Sequence, residues 1–248
     1  MQTKEVQKFV PDPRWKEHNG ALLVVPHADD EVLIGWGLIQ TLVDSGIPVT
    51  VLLLSLGEKG KVYGNETPEK EIKAIRREEF YNATDALGVR GVIYEPTFPD
   101  SELSEHQAEL NEALTRYVRE QRFDVLVSFA PNERTFGFDH TDHHAVAAAS
   151  VIASEKADMP SMYPDSGIAL TYRPSLLGWT TNPNIGAEHQ MSEVALSAES
   201  KARMGEFLSQ YYPSQFSRES KSSWGSIFDR ITQSGGGSGH RQLYFQIR

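Results

Sequence analysis

The fold is decided by one stretch near the start of the chain, ALLVVPHADDEVLIGWGLIQTLVD at residues 21–44. Its first five residues are all apolar, as in a strand buried on both faces. Its second half repeats apolar residues every three or four positions, which is typical of one face of a helix. The polar segment PHADDE lies between the two parts. The stretch therefore predicts a buried strand, a polar loop and an amphipathic helix that ends near Gly46.

The same alternation of strand and helix continues along the chain. Short apolar runs predict three further buried strands, and helical periods separate them. The predicted strands are 48–55, 92–94 and 124–129, and the predicted helices are 67–88, 104–120 and 145–154. Strands that are apolar along their whole length need helices on both faces of their sheet. We therefore predict an α/β fold with a Rossmann-like, mostly parallel sheet and helices on both faces.

The last third of the chain has a weaker pattern. Turn residues are frequent there, and only short segments indicate regular structure. They are strands at 175–180, 193–197 and 243–247, a helix at 201–211 and a Gly/Ser-rich loop at 234–239. Neither an internal repeat nor a second hydrophobic core is visible. We therefore predict a single domain over residues 1–248, with its core at about 20–155 and C-terminal additions at about 156–248.

The composition narrows the classes of function. The formal net charge of −10 leaves no broad basic surface for phosphates, so nucleic acid is not the expected partner. The chain has no cysteine, so any metal must be bound by His, Asp or Glu. No apolar run is long enough for a signal peptide or a membrane span, which favours a soluble protein in the cytoplasm without membrane insertion. The sequence is compatible with a homo-oligomer.

Two polar motifs follow the first and the fourth predicted strands. His27, Asp29 and Asp30 come directly after the first strand, and three of the eight histidines lie at residues 140–144, after the fourth. In an open α/β sheet, ligands bind at the carboxyl ends of the strands, where the strand order reverses. In a common strand order, the first and fourth strands are neighbours at that place. We therefore expect the two motifs to form one site.

The residue types in these motifs suit a catalytic divalent metal. Two histidines and one carboxylate leave a coordination position open for water or substrate. Zn²⁺ is the first choice, and Fe²⁺, Mn²⁺ and Co²⁺ stay open. His27 and Asp30 are spaced so that both can face one ion, and Asp29 between them is the candidate general base. Such an ion can lower the pKa of a bound water from about 15.7 to about 7.

With both motifs quoted, the chain resembles the LmbE/PIG-L-type zinc-dependent N-acetylglucosaminyl deacetylases. The family has an HPDDE-like motif after its first strand and an HxDH motif after its fourth. Here they read His27-Ala28-Asp29-Asp30-Glu31 and His140-Thr141-Asp142-His143. The resemblance also takes in residues 57–60, Arg76 and Asp100, and it covers about residues 20–155 well.

The resemblance implies a role for each matching residue. His27, Asp30 and His143 would be the metal ligands, and Asp29 the general base. His140 would stabilise the tetrahedral oxyanion, with Asp142 orienting it. Two further residues would bind sugar hydroxyls, and residues 156–248 would close over the substrate. The two residues are Arg76 and Asp100.

The implied reaction is hydrolysis of the acetamide of an N-acetylglucosamine-type amino sugar or its conjugate, which releases acetate. The chain departs from the family pattern in three places. Ala28 and Thr141 replace prolines, which leaves the ligands in place, and Phe138 stands where some members have a carbonyl-polarising tyrosine.

Three other interpretations compete with this one. Asp29 or Asp30 can be a simple helix cap, since aspartate is a preferred residue there. An amidase for a larger acyl group or a thiol conjugate would use the same metal and base. A non-catalytic sugar-binding module would keep the ligands but has no need for a base. The intact Asp29 argues against the last of these.

Overall fold

The structure is a computed structural model that describes residues 6–60, 67–131, 141–180, 191–216 and 240–247. Its strands are β1 (Gln7–Lys8), β2 (Ala21–Val25), β3 (Val49–Leu53), β4 (Arg90–Ile93), β5 (Val125–Phe129), β6 (Ser175–Thr180), β7 (Met191–Leu196) and β8 (His240–Ile247). Its α-helices are α1 (Asp30–Asp44), α2 (Glu69–Ala86), α3 (Gln107–Gln121), α4 (Thr141–Lys156) and α5 (Ala198–Tyr211). A short 3-10 helix spans Pro13–Lys16.

The eight strands form one sheet in the order β1-β7-β8-β6-β5-β2-β3-β4. The sheet is parallel except at β8, which lies antiparallel between β6 and β7. This confirms the predicted mostly parallel α/β sheet. The predicted first and fourth strands are β2 and β5, and they are direct neighbours, with Leu23 opposite Val127. The chain therefore reverses its strand order between them, as the site prediction requires.

Both faces of the sheet are buried. Alternate residues of β2 point to opposite sides, so Leu23 and Val25 join one apolar cluster while Leu22 and Val24 join the other. Helices α1, α2 and α5 cover the first side, and α3 and α4 cover the second. This two-sided burial explains why β2 is apolar at every position and why β3 and β5 each carry only one small polar residue, Thr50 and Ser128.

Strand β8 is tied to the middle of α1. The Gln242 side-chain amide donates to the Leu33 carbonyl at 3.0 Å and accepts from the Gly37 amide at 2.8 Å. These two backbone groups are the ends of one helical turn. A Cβ at Gly37 would lie 2.7 Å from Leu196 Cδ2 and 2.8 Å from Val194 Cγ1, so a larger residue there would force side chains of β7 to shift. Gly37, the second glycine of Gly35-Trp36-Gly37, therefore packs closely against β7.

Several element boundaries differ from the predictions. Helix α4 begins at Thr141 rather than at residue 145, because its first turn consists of polar residues that hide the apolar period. Pro68 is the N-cap of α2, so the helix begins at Glu69 rather than at residue 67 as predicted. The predicted loop at 234–239 lies outside the described residues. Within the part of the chain that the structure describes, no helix is long and apolar enough to cross a membrane.

Candidate metal centre

The predicted metal ligands lie together at the carboxyl end of the β2–β5 pair. His27 follows β2, Asp30 is the first residue of α1, and His143 lies in the first turn of α4. Their ligand atoms all lie within 4.8 Å of one another. Asp30 and His143 are buried, and His27 is partly buried. The structure thus brings together residues that are more than a hundred positions apart in the sequence.

The distances in this group match those around a single tetrahedral ion. Asp30 Oδ2 lies 3.4 Å from His27 Nδ1 and 3.4 Å from His143 Nε2. Both distances are longer than a usual N–H···O hydrogen bond of about 2.7–3.2 Å. Ligand atoms that lie about 2.0–2.1 Å from one tetrahedral zinc ion are roughly 3.4 Å apart. Two nitrogens and one oxygen in this arrangement fit a divalent ion with an open position.

The second ring nitrogen of His27, Nε2, contacts two carboxylates. His27 Nε2 lies 3.1 Å from Asp142 Oδ2 and 3.2 Å from Asp100 Oδ1. Asp142 also accepts backbone N–H groups of Ser101 at 2.8 Å and Leu103 at 3.1 Å. A carboxylate on the outer nitrogen of a metal-binding histidine sets its tautomer and ring orientation. This arrangement leaves His27 Nδ1 to face Asp30 and His143.

The His143 ring is oriented by packing. It stacks on Phe129, the last residue of β5, with ring centroids 4.1 Å apart and planes 11° from parallel. The stacking restricts the tilt of the imidazole plane, and in this orientation Nε2 lies 3.4 Å from Asp30 Oδ2. A strand-end aromatic residue therefore positions one of the candidate ligands.

The electrostatics of the cluster favour a positive charge at its centre. Burial would lower the pKa of His27, but hydrogen bonds to Asp100, Asp142 and Asp30 raise it well above its usual value. Burial would raise the pKa of Asp30, but His143 and His27 lower it. Burial would raise the pKa of Asp100, but the hydrogen bond and charge of His27, with hydrogen bonds from Lys59 and Ser101, together lower it to about 2. The carboxylates thus stabilise a cation here, whether it is an imidazolium or a metal ion.

Asp29 does not cap α1 with its side chain. It occupies the N-cap position with φ +113°, and its carboxylate accepts no capping hydrogen bond. Burial raises the pKa of Asp29, as do the neighbouring Asp30 and Glu31, and Arg76 and His27 act in the opposite direction. The structure thus removes the simple helix-cap interpretation of this carboxylate.

The two predicted sugar-binding residues lie near the cluster. Asp100 contacts His27 and accepts the Lys59 backbone N–H at 2.9 Å. Arg76 is buried, and its guanidinium lies beneath the Gly57–Gly60 turn, where a Cβ at Gly60 would be 3.3 Å from one of its nitrogens. Among the described residues its Nε has no hydrogen-bond partner. His140 and Phe138 lie outside the described residues.

Sequence reasoning missed the residues that connect the C-terminal part to this site. Glu31 is fully buried and accepts a hydrogen bond from the Tyr212 hydroxyl. Glu79 accepts the Ser214 backbone N–H at 2.8 Å and its hydroxyl at 2.6 Å. One signal was available, since Glu31 shares the apolar helical face of Ile34 and Leu38 and was bound to be buried with them.

A family model matches the part of the chain that contains this cluster. The PIG-L model, described as GlcNAc-PI de-N-acetylase, matches residues 22–154, which is more than half of the chain. The chain belongs to the PIG-L family. The match begins in β2 and ends in α4, so it includes all three candidate ligands of this PIG-L protein.

Curated relatives agree with that membership. A probable N-acetyl-alpha-D-glucosaminyl L-malate deacetylase 2 of Bacillus anthracis is 30% identical over 148 residues, 58% of this chain and 62% of the relative. A 1D-myo-inositol 2-acetamido-2-deoxy-alpha-D-glucopyranoside deacetylase of Rhodococcus erythropolis is 28% identical over 199 residues, 70% of this chain and 65% of the relative. The first curated relatives are thus matched over 59% to 65% of their length.

A similar solved structure is that of N,N'-diacetylchitobiose deacetylase from Pyrococcus horikoshii complexed with its inhibitor MPG. It superposes with a TM-score of 0.72 over 92% of this chain and 83% of that chain, at 19% identity. At this identity the likeness shows the fold alone. It confirms the α/β architecture of this PIG-L protein across the C-terminal part as well as the matched core.

Proposed function

We propose that this PIG-L protein is a metal-dependent N-deacetylase. Its substrate would be an N-acetylglucosamine-type amino sugar or a small-molecule conjugate of one, and its products acetate and a free amine. The proposal rests on one observation, the convergence of His27, Asp30 and His143 at distances that suit one ion, with Asp29 beside them. Membership of the PIG-L family and the deacetylase names of the curated relatives support the choice of reaction.

The proposed metal ligands are His27 Nδ1, Asp30 Oδ2 and His143 Nε2. Zn²⁺ is the first candidate because imidazole and carboxylate ligands in a three-protein-ligand site are typical of catalytic zinc. Fe²⁺, Co²⁺ and Mn²⁺ can use the same donor set, with Mn²⁺ the least favoured by nitrogen ligands. When bound, such an ion lowers the pKa of a water and polarises the substrate carbonyl.

The chain's own residues account for the proton transfers. Water attacks the acetyl carbonyl carbon and forms a C–O bond while Asp29 accepts the water's proton. Asp29 then donates that proton to the amide nitrogen as the C–N bond breaks, so the amine leaves neutral. The acid formed keeps the second proton of the water and becomes acetate when it releases that proton to solvent. By the family resemblance, His140 stabilises the oxyanion between these steps, with Asp142 orienting it. Asp142 would then serve two histidines, since it also contacts His27.

The substrate's sugar is proposed to lie towards Arg76 and Asp100. The unpartnered Nε of the buried Arg76 gives it hydrogen-bonding capacity that described protein groups do not use. We further propose that residues 1–248 act as one domain whose C-terminal region, about 156–248, closes over the substrate. The hydrogen bonds of Tyr212 and Ser214 to Glu31 and Glu79 support this role. The cytoplasmic location and the oligomeric state stay predictions.

The decisive experiment is an assay of acetate release. Zinc-loaded protein is incubated with N-acetylglucosaminides that carry malate, inositol, lipid, oligosaccharide or antibiotic groups, and acetate and free amine are measured together. We expect equal amounts of both from at least one substrate, and a much lower rate of release of both from the Asp29→Asn variant, which should still bind zinc. Release of a larger acid would favour an amidase. No acid from any substrate would reject a hydrolase of this class.

A further inference from the structure

The peptide group that joins Ala28 to Asp29 is held at both of its polar ends. Its carbonyl accepts a hydrogen bond from Gln215 Nε2 at 2.7 Å. Its N–H donates to Glu31 Oε2 at 3.1 Å, and the other oxygen of Glu31 accepts from the Tyr212 hydroxyl. Ala28, Glu31 and Tyr212 are almost completely buried. Two residues that follow α5 thus fix the plane of one peptide in the candidate catalytic loop.

The peptide on the other side of Asp29 is held as well. The Asp29 carbonyl accepts from the backbone N–H groups of Val32 at 3.0 Å and Leu33 at 3.1 Å. With both flanking peptides fixed, the φ and ψ angles of Asp29 are fixed too, and so is the direction of its Cα–Cβ bond. The resulting φ of +113° lies in a region that non-glycine residues rarely adopt. Such a conformation persists only where surrounding contacts determine it.

We propose that Tyr212 and Gln215 are positioning residues that hold the Ala28–Asp29 peptide and thereby aim the Asp29 carboxylate. This inference rests on the proposed function, in which Asp29 transfers the proton. Gln215 acts on the carbonyl directly, and Tyr212 acts on the N–H through Glu31. Without them, the Ala28–Asp29 peptide can rotate and Asp29 can relax to negative φ, which moves its carboxylate away from the reacting atoms. A displacement of about 1 Å can cost on the order of 100-fold in rate.

The location of Tyr212 and Gln215 supports a role in positioning Asp29 rather than a purely structural role. Another hydrogen bond between α5 and α1, from Trp36 Nε1 to Ser200 Oγ at 3.0 Å, already connects the two helices. That bond does not touch the catalytic loop. The contacts of Tyr212 and Gln215 instead converge on a single peptide, next to the proposed base. Removing Ser200 Oγ therefore gives a matched control that loses one α5–α1 hydrogen bond but leaves the peptide held.

The test compares Tyr212→Phe and Gln215→Leu with the control Ser200→Ala, all as zinc-loaded full chains. Steady-state kinetics on the best acetylated substrate give kcat and KM, and chelator competition gives zinc affinity. Amide hydrogen exchange at Asp29, followed by NMR on ¹⁵N-labelled protein, reports the held peptide without any assay of activity. Glu31→Gln serves as the conservative variant, because its amide oxygen can still accept the Asp29 N–H.

We expect both Tyr212→Phe and Gln215→Leu to lower kcat by about 10-fold or more, with KM and zinc affinity within about twofold. Exchange at the Asp29 amide should accelerate in both, while Ser200→Ala keeps kcat within about threefold and Glu31→Gln keeps the slow exchange of the Asp29 amide. Unchanged kcat with faster exchange would overturn the positioning role, and unchanged exchange would overturn the held peptide. If Tyr212→Phe does not fold, Gln215→Leu, whose side chain is only partly buried, decides both points.

The two proposals fail in different ways. A wild-type protein that releases no acetate from any substrate rejects the proposed function. The exchange measurement still decides whether Tyr212 and Gln215 hold the peptide, because it needs no turnover. An active wild-type protein whose two variants behave like Ser200→Ala rejects the positioning role alone.

Discussion

The neighbouring strands β2 and β5 carry a His–Asp pair at each end, and only one end resembles a metal centre. At the amino end, His18 Nδ1 lies 2.6 Å from Asp124 Oδ1, and the His18 ring stacks on Tyr172 with centroids 4.2 Å apart. At the carboxyl end, Asp30 faces His27 and His143. The two ends have the same residue types but different surroundings.

The difference lies in what occupies the carboxylate oxygens. Asp124 Oδ2 accepts the backbone N–H groups of His18 at 3.1 Å and Gly20 at 3.0 Å, while its Oδ1 contacts the His18 ring. Both oxygens are thus used to join the chain before β2 to the start of β5. Asp30 Oδ2 accepts one backbone N–H, that of His27 at 3.1 Å, but it also faces two imidazole nitrogens at 3.4 Å, beyond the usual hydrogen-bond distance. Among the described residues, no metal-ligand group includes His18 or Asp124.

The comparison shows that a His–Asp pair becomes a candidate site only through its number of ligands and their spacing. The amino end has one histidine and one saturated carboxylate, which stabilise a loop. The carboxyl end has a third ligand, His143, from another element, and a carboxylate behind His27 that sets its orientation. We therefore expect substitutions at the carboxyl end to change zinc binding and turnover, and a substitution at the amino end to change only the stability of the fold.

The largest effect is expected from His143→Ala. The substitution removes one of three proposed ligands, so both zinc binding and the acetylated substrate's turnover should be lost, with kcat/KM falling by more than about 10⁴-fold. Metal analysis of the purified variant and the acetate assay test this. Zinc retained at one ion per chain with normal turnover would remove His143 from the site.

Asp29→Asn is expected to lower kcat strongly without changing zinc binding. The amide cannot accept the water's proton, so kcat should fall by about 10²–10⁴-fold, while zinc binds as in the wild type. Parallel measurements of kcat and zinc content separate the two properties. Loss of zinc together with activity would make Asp29 a ligand rather than the base.

Much of the fold and of the candidate site could be predicted from the sequence. The strands of the sheet centre are almost entirely apolar runs, and such runs alternating with helical periods allow few architectures. The proximity of the candidate ligands could be predicted because His27, Asp30 and His143 come after strands β2 and β5, at the sheet edge where parallel sheets bind ligands. Local sequence pattern carries that information directly.

Contacts between distant polar residues could not be predicted in this way. Gln242 and Tyr212 bond groups in α1 that are about two hundred positions earlier, and no local period marks such partners. The start of α4 was missed because Asp142 and His143 are polar and yet buried, against the usual pattern. The unpredicted features are thus those in which polar residues are buried and paired across the fold.

An intermediate effect is expected from Asp142→Asn. The asparagine keeps an acceptor for a backbone N–H but loses the negative charge that orients His27, so zinc affinity should fall by about 10–100-fold. Competition with a chelator of known affinity measures the change. Affinity equal to that of the wild type would mean that Asp142 serves only to hold the loop at Ser101 and Leu103.

The smallest effect is expected at the amino end, from His18→Phe. The new ring can keep the stacking on Tyr172 but loses the hydrogen bond to Asp124, which should lower the free energy of unfolding by about 1 kcal/mol. For a chain of this size that corresponds to a Tm lower by about 2–4 °C. Thermal unfolding measures it, and zinc affinity and kcat should stay unchanged. A change in zinc affinity would contradict the functional separation of the two ends.

The central claim is that the loops after β2 and β5 together bind one divalent ion at the carboxyl end of the sheet. Calorimetric titration of metal-free protein with Zn²⁺ tests it most directly, with the wild type, His143→Ala and His18→Phe measured side by side. We predict one high-affinity ion per chain in the wild type and in His18→Phe, and no high-affinity binding in His143→Ala. Equal binding by all three proteins, or none by the wild type, would contradict the claim.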